Sequence, residues 1–156
     1  MTLRLRLEPL RLADAEALQR ISDDPLVISS INFLTAPFTI EDARVLIHGG
    51  EGDVFFGAWH SATGDLVGVV GSHLVGEHEI EIGYWMATRF AGQGYASEAA
   101  RGVIDLLRAA HPSRTIFAEC RPQNAASWRV LEKLGFRPTG EDGHRDGRKR
   151  LVLNPS

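Results

Sequence analysis

Between Glu79 and Gly102 an alternating, strand-like run, Glu-Ile-Glu-Ile-Gly-Tyr-Trp-Met, leads through Gly92-Gln93-Gly94 into a segment with helical spacing. Ala96, Ala99, Ala100, Val103, Ile104 and Leu107 fall on one face of that helix. A strand feeding a glycine turn that opens a helix is an anion-binding device. The first N–H groups of a helix have no partner within it and sit at the positive end of its dipole, and glycine lets a phosphate come close to them.

Two common glycine turns do not fit. A Walker loop needs a lysine and a Ser/Thr after its last glycine, and Gly94 is followed by Tyr95 and Ala96. A dinucleotide fold needs a third glycine and an early position in the chain. Gly92-Gln93-Gly94-Tyr95-Ala96-Ser97 has neither. Arg89, Gly92 and Gly94 satisfy a third pattern, Arg/Gln-x-x-Gly-x-Gly/Ala.

The rest of the chain supplies a mixed α/β frame for this unit. Leu3, Leu5 and Leu7 alternate with charged residues as in a first strand that Pro9 stops. Ala13, Ala17, Leu18 and Ile21 predict a helix to about Asp24, ended by Pro25. Residues 26–38 are apolar without a sustained period, which suits either a loop lining a ligand groove or an ordinary packed loop. Thr39 is placed to cap a second helix that ends at Gly49-Gly50.

Asp53 to His60 and Leu66 to Leu74 read as a hairpin, and His78 to Ala87 as a third antiparallel strand. Thr115 to Arg121 is a further strand, and Asn124 starts a helix that Gly135 terminates. Phe136 to Gly140, a turn over Gly143 to Gly147, and Lys149 to Leu153 close the chain. The order predicts a mixed, mostly antiparallel central sheet of seven strands with four helices over its faces.

Composition limits the partners. With 156 residues, 44% of them hydrophobic, residues 1–156 read as a single domain with one core. The formal charge of -3 offers no general attraction to nucleic acid or an anionic membrane, so an anionic ligand must be captured locally. Cys120 is the one cysteine, which fits a reducing cytosol, and neither a signal core nor a membrane-spanning run is present. A soluble, cytoplasmic protein is expected. The six histidines lack metal-ligand spacing, and no metal site is expected.

Arg89-Phe-Ala-Gly-Gln-Gly-Tyr-Ala resembles the acetyl-coenzyme A signature of the GNAT superfamily of N-acetyltransferases. Gly83-Tyr84-Trp85-Met86 and the segment from Asn124 to Phe136 resemble its branch that acetylates amino termini of ribosomal proteins (RimJ/RimL-like), with its small-molecule relatives. The amino-terminal Leu-Arg-Leu-Glu-Pro-Leu-Arg-Leu segment and the ending Arg145-Asp-Gly-Arg-Lys-Arg-Leu fit the same branch. The resemblance covers nearly the whole chain.

It implies a GNAT fold whose fourth and fifth strands splay, acetyl-coenzyme A as co-substrate, and a protein amino terminus or small-molecule amine as acceptor, in a monomer or homodimer. The pyrophosphate is assigned to the turn of Arg89, Gly92, Gln93, Gly94, Tyr95, Ala96 and Ser97, and the pantetheine arm to backbone near Met86 and Thr88. By the same resemblance Asn124 bonds the arm and Ser127 protonates the departing thiolate or donates a hydrogen bond to it. Asn124 is equally a good N-cap, with Ser127 simply facing it.

Direct attack by an amine in a ternary complex needs a base. Glu79 and Glu81 share one strand face, and a carboxylate partly buried beside a cleft is expected to gain basicity. The resemblance favours Glu81, nearest the splay; the alternative is that both are solvent-facing strand residues. The cluster Arg145, Arg148, Lys149 and Arg150 suits an acidic substrate, the coenzyme 3'-phosphate, or a solvated hairpin. A non-catalytic acyl-coenzyme A sensor remains the alternative to an enzyme; it would need neither Glu81 nor Ser127.

Overall fold

The amino-terminal alternation becomes β1 (Leu5–Pro9), which pairs antiparallel with β2 (Asp53–His60). Leu3, expected within that strand, lies before it and is 94% exposed. The computed structural model describes residues 2–31 and 33–155. Within them β3 (Leu66–Val75), β4 (Glu79–Met86), β5 (Thr115–Cys120), β6 (Phe136–Asp142) and β7 (Lys149–Leu153) complete a seven-stranded sheet in the order β1-β2-β3-β4-β5-β7-β6.

Every neighbouring pair is antiparallel except β4 and β5, which run parallel. Their ladder has only three register pairs, Glu79 with Thr115, Ile80 with Ile116 and Glu81 with Phe117. Beyond Glu81 the edge of β4 that faces β5 has no ladder partner, which is the expected splay.

Alternation along β4 sends Ile80 and Ile82 to one face and Trp85 to the other. The first face is covered by α4 (Tyr95–Ala110) and α5 (Ala125–Leu134), which bury Val103, Ile104, Leu131 and Leu134 against it. The second packs Phe55, Val69 and Trp85 against Leu18 of α1 (Ala15–Ser22), Val27 of α2 (Pro25–Ser30) and Ala43 of α3 (Ile40–His48). Burial of side chains this size contributes about 1.5–3 kcal/mol each, so the two layers fix both helix groups on the sheet.

The described residues carry five α-helices rather than four. The extra one is α2, and Pro25 begins it instead of ending its predecessor. A proline at the first helical position loses no hydrogen bond, and Asp24 caps the turn by accepting from the Leu26 N–H at 2.9 Å. Six residues are too few to show a helical period, so this segment read as irregular. Thr39 caps α3 as expected, reciprocally with Asp42. No helix among the described residues is long and apolar enough to cross a membrane.

Candidate active site

The glycine turn follows a single 3-10 turn, Thr88–Phe90, at the end of β4. Gly92 and Gly94 have φ of +76° and +82°, values at which a side chain is strained, and Gly94 is the N-cap residue of α4. Their conformation leaves the first amides of α4 open toward the cavity beside them. Arg4 braces the turn from behind: its guanidinium lies over the Tyr95 ring at 4.1 Å and its Nη1 donates to the Gln93 carbonyl at 3.1 Å.

Glu98, in the first turn of α4, would oppose an anion here if its charge were free. It accepts instead from Arg4 Nε at 2.7 Å, the Arg4 amide at 2.7 Å and the Thr2 hydroxyl at 2.6 Å. Burial raises its pKa, but these bonds outweigh burial and hold it below the ordinary carboxylate value.

From this turn a cavity of about 750 Å³ runs along β4 and through the β4–β5 gap. It therefore opens on both faces of the sheet. On the α4/α5 face it is walled by Tyr84, Cys120, Asn124 and Ser127. On the opposite face it is walled by Phe33, Phe55, Glu81, Trp85, Glu119 and Arg145.

On the first face the Asn124 side chain caps α5, its Oδ1 accepting from the Ser127 N–H at 3.2 Å, and Asn124 also stands in the cavity wall. The Ser127 hydroxyl is 2.9 Å from the Tyr84 hydroxyl, which also donates to the Ser127 carbonyl at 3.3 Å. Burial pushes the Tyr84 phenol up to about 12, so it keeps its proton through the neutral range. Cys120 is buried as expected, and burial raises its thiol.

On the second face Glu81 is not an isolated carboxylate in an apolar cleft. Arg145 grips it through Nη1 at 2.5 Å and Nη2 at 3.3 Å, and the same guanidinium donates to Glu119 at 3.2 Å. The side chain of Glu119 is 1% exposed and accepts as well from the His144 amide and ring, each at 2.8 Å, and from the Arg145 amide at 3.2 Å. Burial would raise the Glu119 carboxyl; the bonds from His144 and Arg145 overcome it and hold it low.

The remaining expected residues divide cleanly. Met86, Thr88, Gly92, Gly94, Tyr95, Ala96 and Ser97 line the cavity. Thr88 also donates to Asp24 at 2.9 Å, tying the cap of α2 to the end of β4. Arg89 and Gln93 stand outside the cavity wall. Arg89 lies over the Phe90 ring and 3.8 Å from Asp65, while Gln93 donates to the Arg89 carbonyl. Glu79 is also outside the wall, ion-paired with Arg150.

The basic cluster is not a solvated hairpin. Arg145 and Arg150 engage Glu81 and Glu79, and Lys149 pairs with Asp142 at 2.5 Å. Tyr84 and Glu119 were missed as site residues. The available signal for Glu119 was four cations in six positions requiring acidic counterparts on a neighbouring strand. Tyr84 stood in a recognised motif, but only the fold brings it to Ser127. No group of three or more metal-ligating side chains occurs among the described residues.

A coenzyme A fits these residues: open amides at the turn, an unladdered strand edge beside it, and a continuous cavity beyond. Residues 4–137 match the acetyltransferase (GNAT) domain family. The uncharacterized N-acetyltransferase YnaD of Bacillus subtilis is 31% identical over 142 residues, covering 89% of this chain and 82% of that protein. A GNAT-family acetyltransferase from Bacillus anthracis superposes with a TM-score of 0.82 at 28% identity, over 97% of this chain and 94% of that one. RimL, a ribosomal alpha-N-protein acetyltransferase solved with coenzyme A, shares the fold at a TM-score of 0.80 and 18% identity, over 97% and 94% of the two chains. The match over most of the chain makes this protein a member of the acetyltransferase (GNAT) domain family that uses acetyl-coenzyme A.

Proposed function

We propose that residues 1–156 act as one domain that moves the acetyl group to a primary amine by direct attack in a ternary complex. The supporting observation is the cavity that crosses the sheet between β4 and β5. A coenzyme on the α4/α5 face and an amine on the other face meet in that gap without a covalent enzyme intermediate.

In this reading the amides from Gly92 to Ser97 bind the pyrophosphate, and Asn124 with the β4 edge near Met86 and Thr88 orients the pantetheine arm. Glu81 takes a proton from the acceptor's ammonium, directly or through one water, so that the neutral amine attacks the thioester carbonyl. Arg145 occupies one lone pair on each carboxylate oxygen, and the second lone pair stays available. Donors at the splay stabilise the oxyanion. As the C–S bond breaks, Ser127 donates to the leaving thiolate, and Tyr84, still protonated, backs Ser127.

Thiol release with acetyl-coenzyme A against amino acids, polyamines, aminoglycosides and peptide amino termini tests this reading. Intersecting initial-velocity lines are expected with the accepted amine, and an isolable acetyl-enzyme would refute direct transfer. Glu81→Gln is expected to lower kcat/KM about 100-fold, mainly at low pH, with coenzyme affinity kept. An unchanged pH profile removes Glu81 as base, and coenzyme binding without turnover of any amine favours a sensor.

A further inference from the structure

The charges at the acceptor mouth are unevenly matched. Arg145 is held by two carboxylates, Glu81 and Glu119. Arg148, three residues on and in the same cavity wall, reaches among the described residues only main-chain oxygens: Ser30 at 3.2 Å and Glu119 at 3.4 Å. Both bonds are long for a guanidinium. Its Nε is buried and has no hydrogen-bond partner among the described residues.

Burial first, and then the charges of Arg121 and Arg145, work against the Arg148 cation. The Glu119 carboxylate that favours it is already taken by His144 and Arg145. A partly buried guanidinium without an anion carries an uncompensated desolvation cost. A ligand carboxylate would satisfy it, with the two-pronged geometry that guanidinium favours. The coenzyme does not fill this place, because the turn amides open at the other end of the cavity and Arg148 joins α2 to β5 on the acceptor face.

The same cavity carries an aromatic wall. Phe33 lies 6.3 Å from Phe55 and 5.8 Å from Trp85, ring centre to ring centre, and Phe55 lies 6.2 Å from Trp85. The Trp85 indole is fixed by donating to the buried Ser22 hydroxyl at 2.9 Å. A rigid apolar wall in one cavity with an unmatched cation suits an amphipathic acceptor, and the unmatched Arg148 disfavours polycations.

We propose that the acceptor is a free amino acid with an apolar side chain, its carboxylate received by Arg148 and its side chain by the Phe33–Phe55–Trp85 wall. This rests on the acetyl-transfer reading above and names its substrate class. Arg148 is then a specificity-determining residue.

The test compares L-leucine and L-phenylalanine with their amides and with the matching amines that lack the carboxylate. In thiol release the free acids are expected to exceed the amides by about tenfold or more in kcat/KM. In Arg148→Gln that ratio is expected to fall within about threefold, with Arg148→Lys between the two. Retained acetyl-coenzyme A affinity in Arg148→Gln verifies its fold, and a merely structural role would slow acid and amide alike. Calorimetric titration of L-leucine and L-leucinamide into the protein saturated with coenzyme A reads the same preference without turnover. Equal binding of acid and amide, or faster turnover of amides, polyamines or peptide amines, overturns the proposal. Failure of every amine to turn over would refute acetyl transfer, while the titration still decides this inference.

Discussion

The two ends of the cavity are built by opposite means. At the proposed coenzyme end the groups open to the cavity are main-chain amides of consecutive residues, and side chains such as Arg4 and Glu98 act from behind by neutralising one another. At the proposed acceptor end the paired groups are charged side chains from β4, β5 and the β6–β7 connection, 26 to 64 residues apart in sequence. Amides in one turn are positioned by backbone conformation, so two glycines suffice. Side chains from three elements are positioned only by the completed fold and by one another.

Gly94→Val should break the coenzyme end with the largest effect. A branched residue at φ +82° costs about 1–3 kcal/mol, and its Cβ would stand 3.4 Å from the Arg4 guanidinium that braces the turn. Acetyl-coenzyme A Kd should rise about 100-fold by calorimetry; a change of less than about threefold would show that the amides are not the anion site.

The boundary between the ends is sharpened by Ser127→Ala and Tyr84→Phe. Each should lower kcat about tenfold, and the double variant should be little worse, because the two hydroxyls act as one pair. Fully additive losses would mean that they serve separate steps.

Glu119→Gln has the smallest expected effect and addresses the acceptor end. With its native pKa held below the ordinary 4.5, Glu119 adds stability that is present above about pH 4.5 and is lost as pH falls through the lower native value. The variant should be less stable by about 1 kcal/mol near neutral pH and should lose less on acidification. Urea midpoints that decline equally in both proteins would contradict the assignment.

The same contrast explains what the sequence disclosed. The turn, the Thr39 and Asn124 caps and, Leu3 apart, the strand alternation follow local rules, and each lies where it was expected. Pro25 misled because proline both stops and starts helices, and only the Asp24 cap distinguishes the cases. Glu81 was legible as a carboxylate on the right face. Its Arg145 partner lies 64 residues away, so its ionic surroundings were not. Tyr84 was read as a strand residue because its approach to Ser127 depends on how α5 packs over the sheet.

The short β4–β5 ladder has a mechanical consequence. The sheet is two plates, β1–β4 and β5–β7–β6, hinged along three residue pairs. Two latches cross the hinge, Glu79 to Arg150 and Glu81 to Arg145. The proposed base is thus also a clasp, and whatever competes for its guanidinium partner, including salt, loosens the plates around the slot through which the acetyl group would pass.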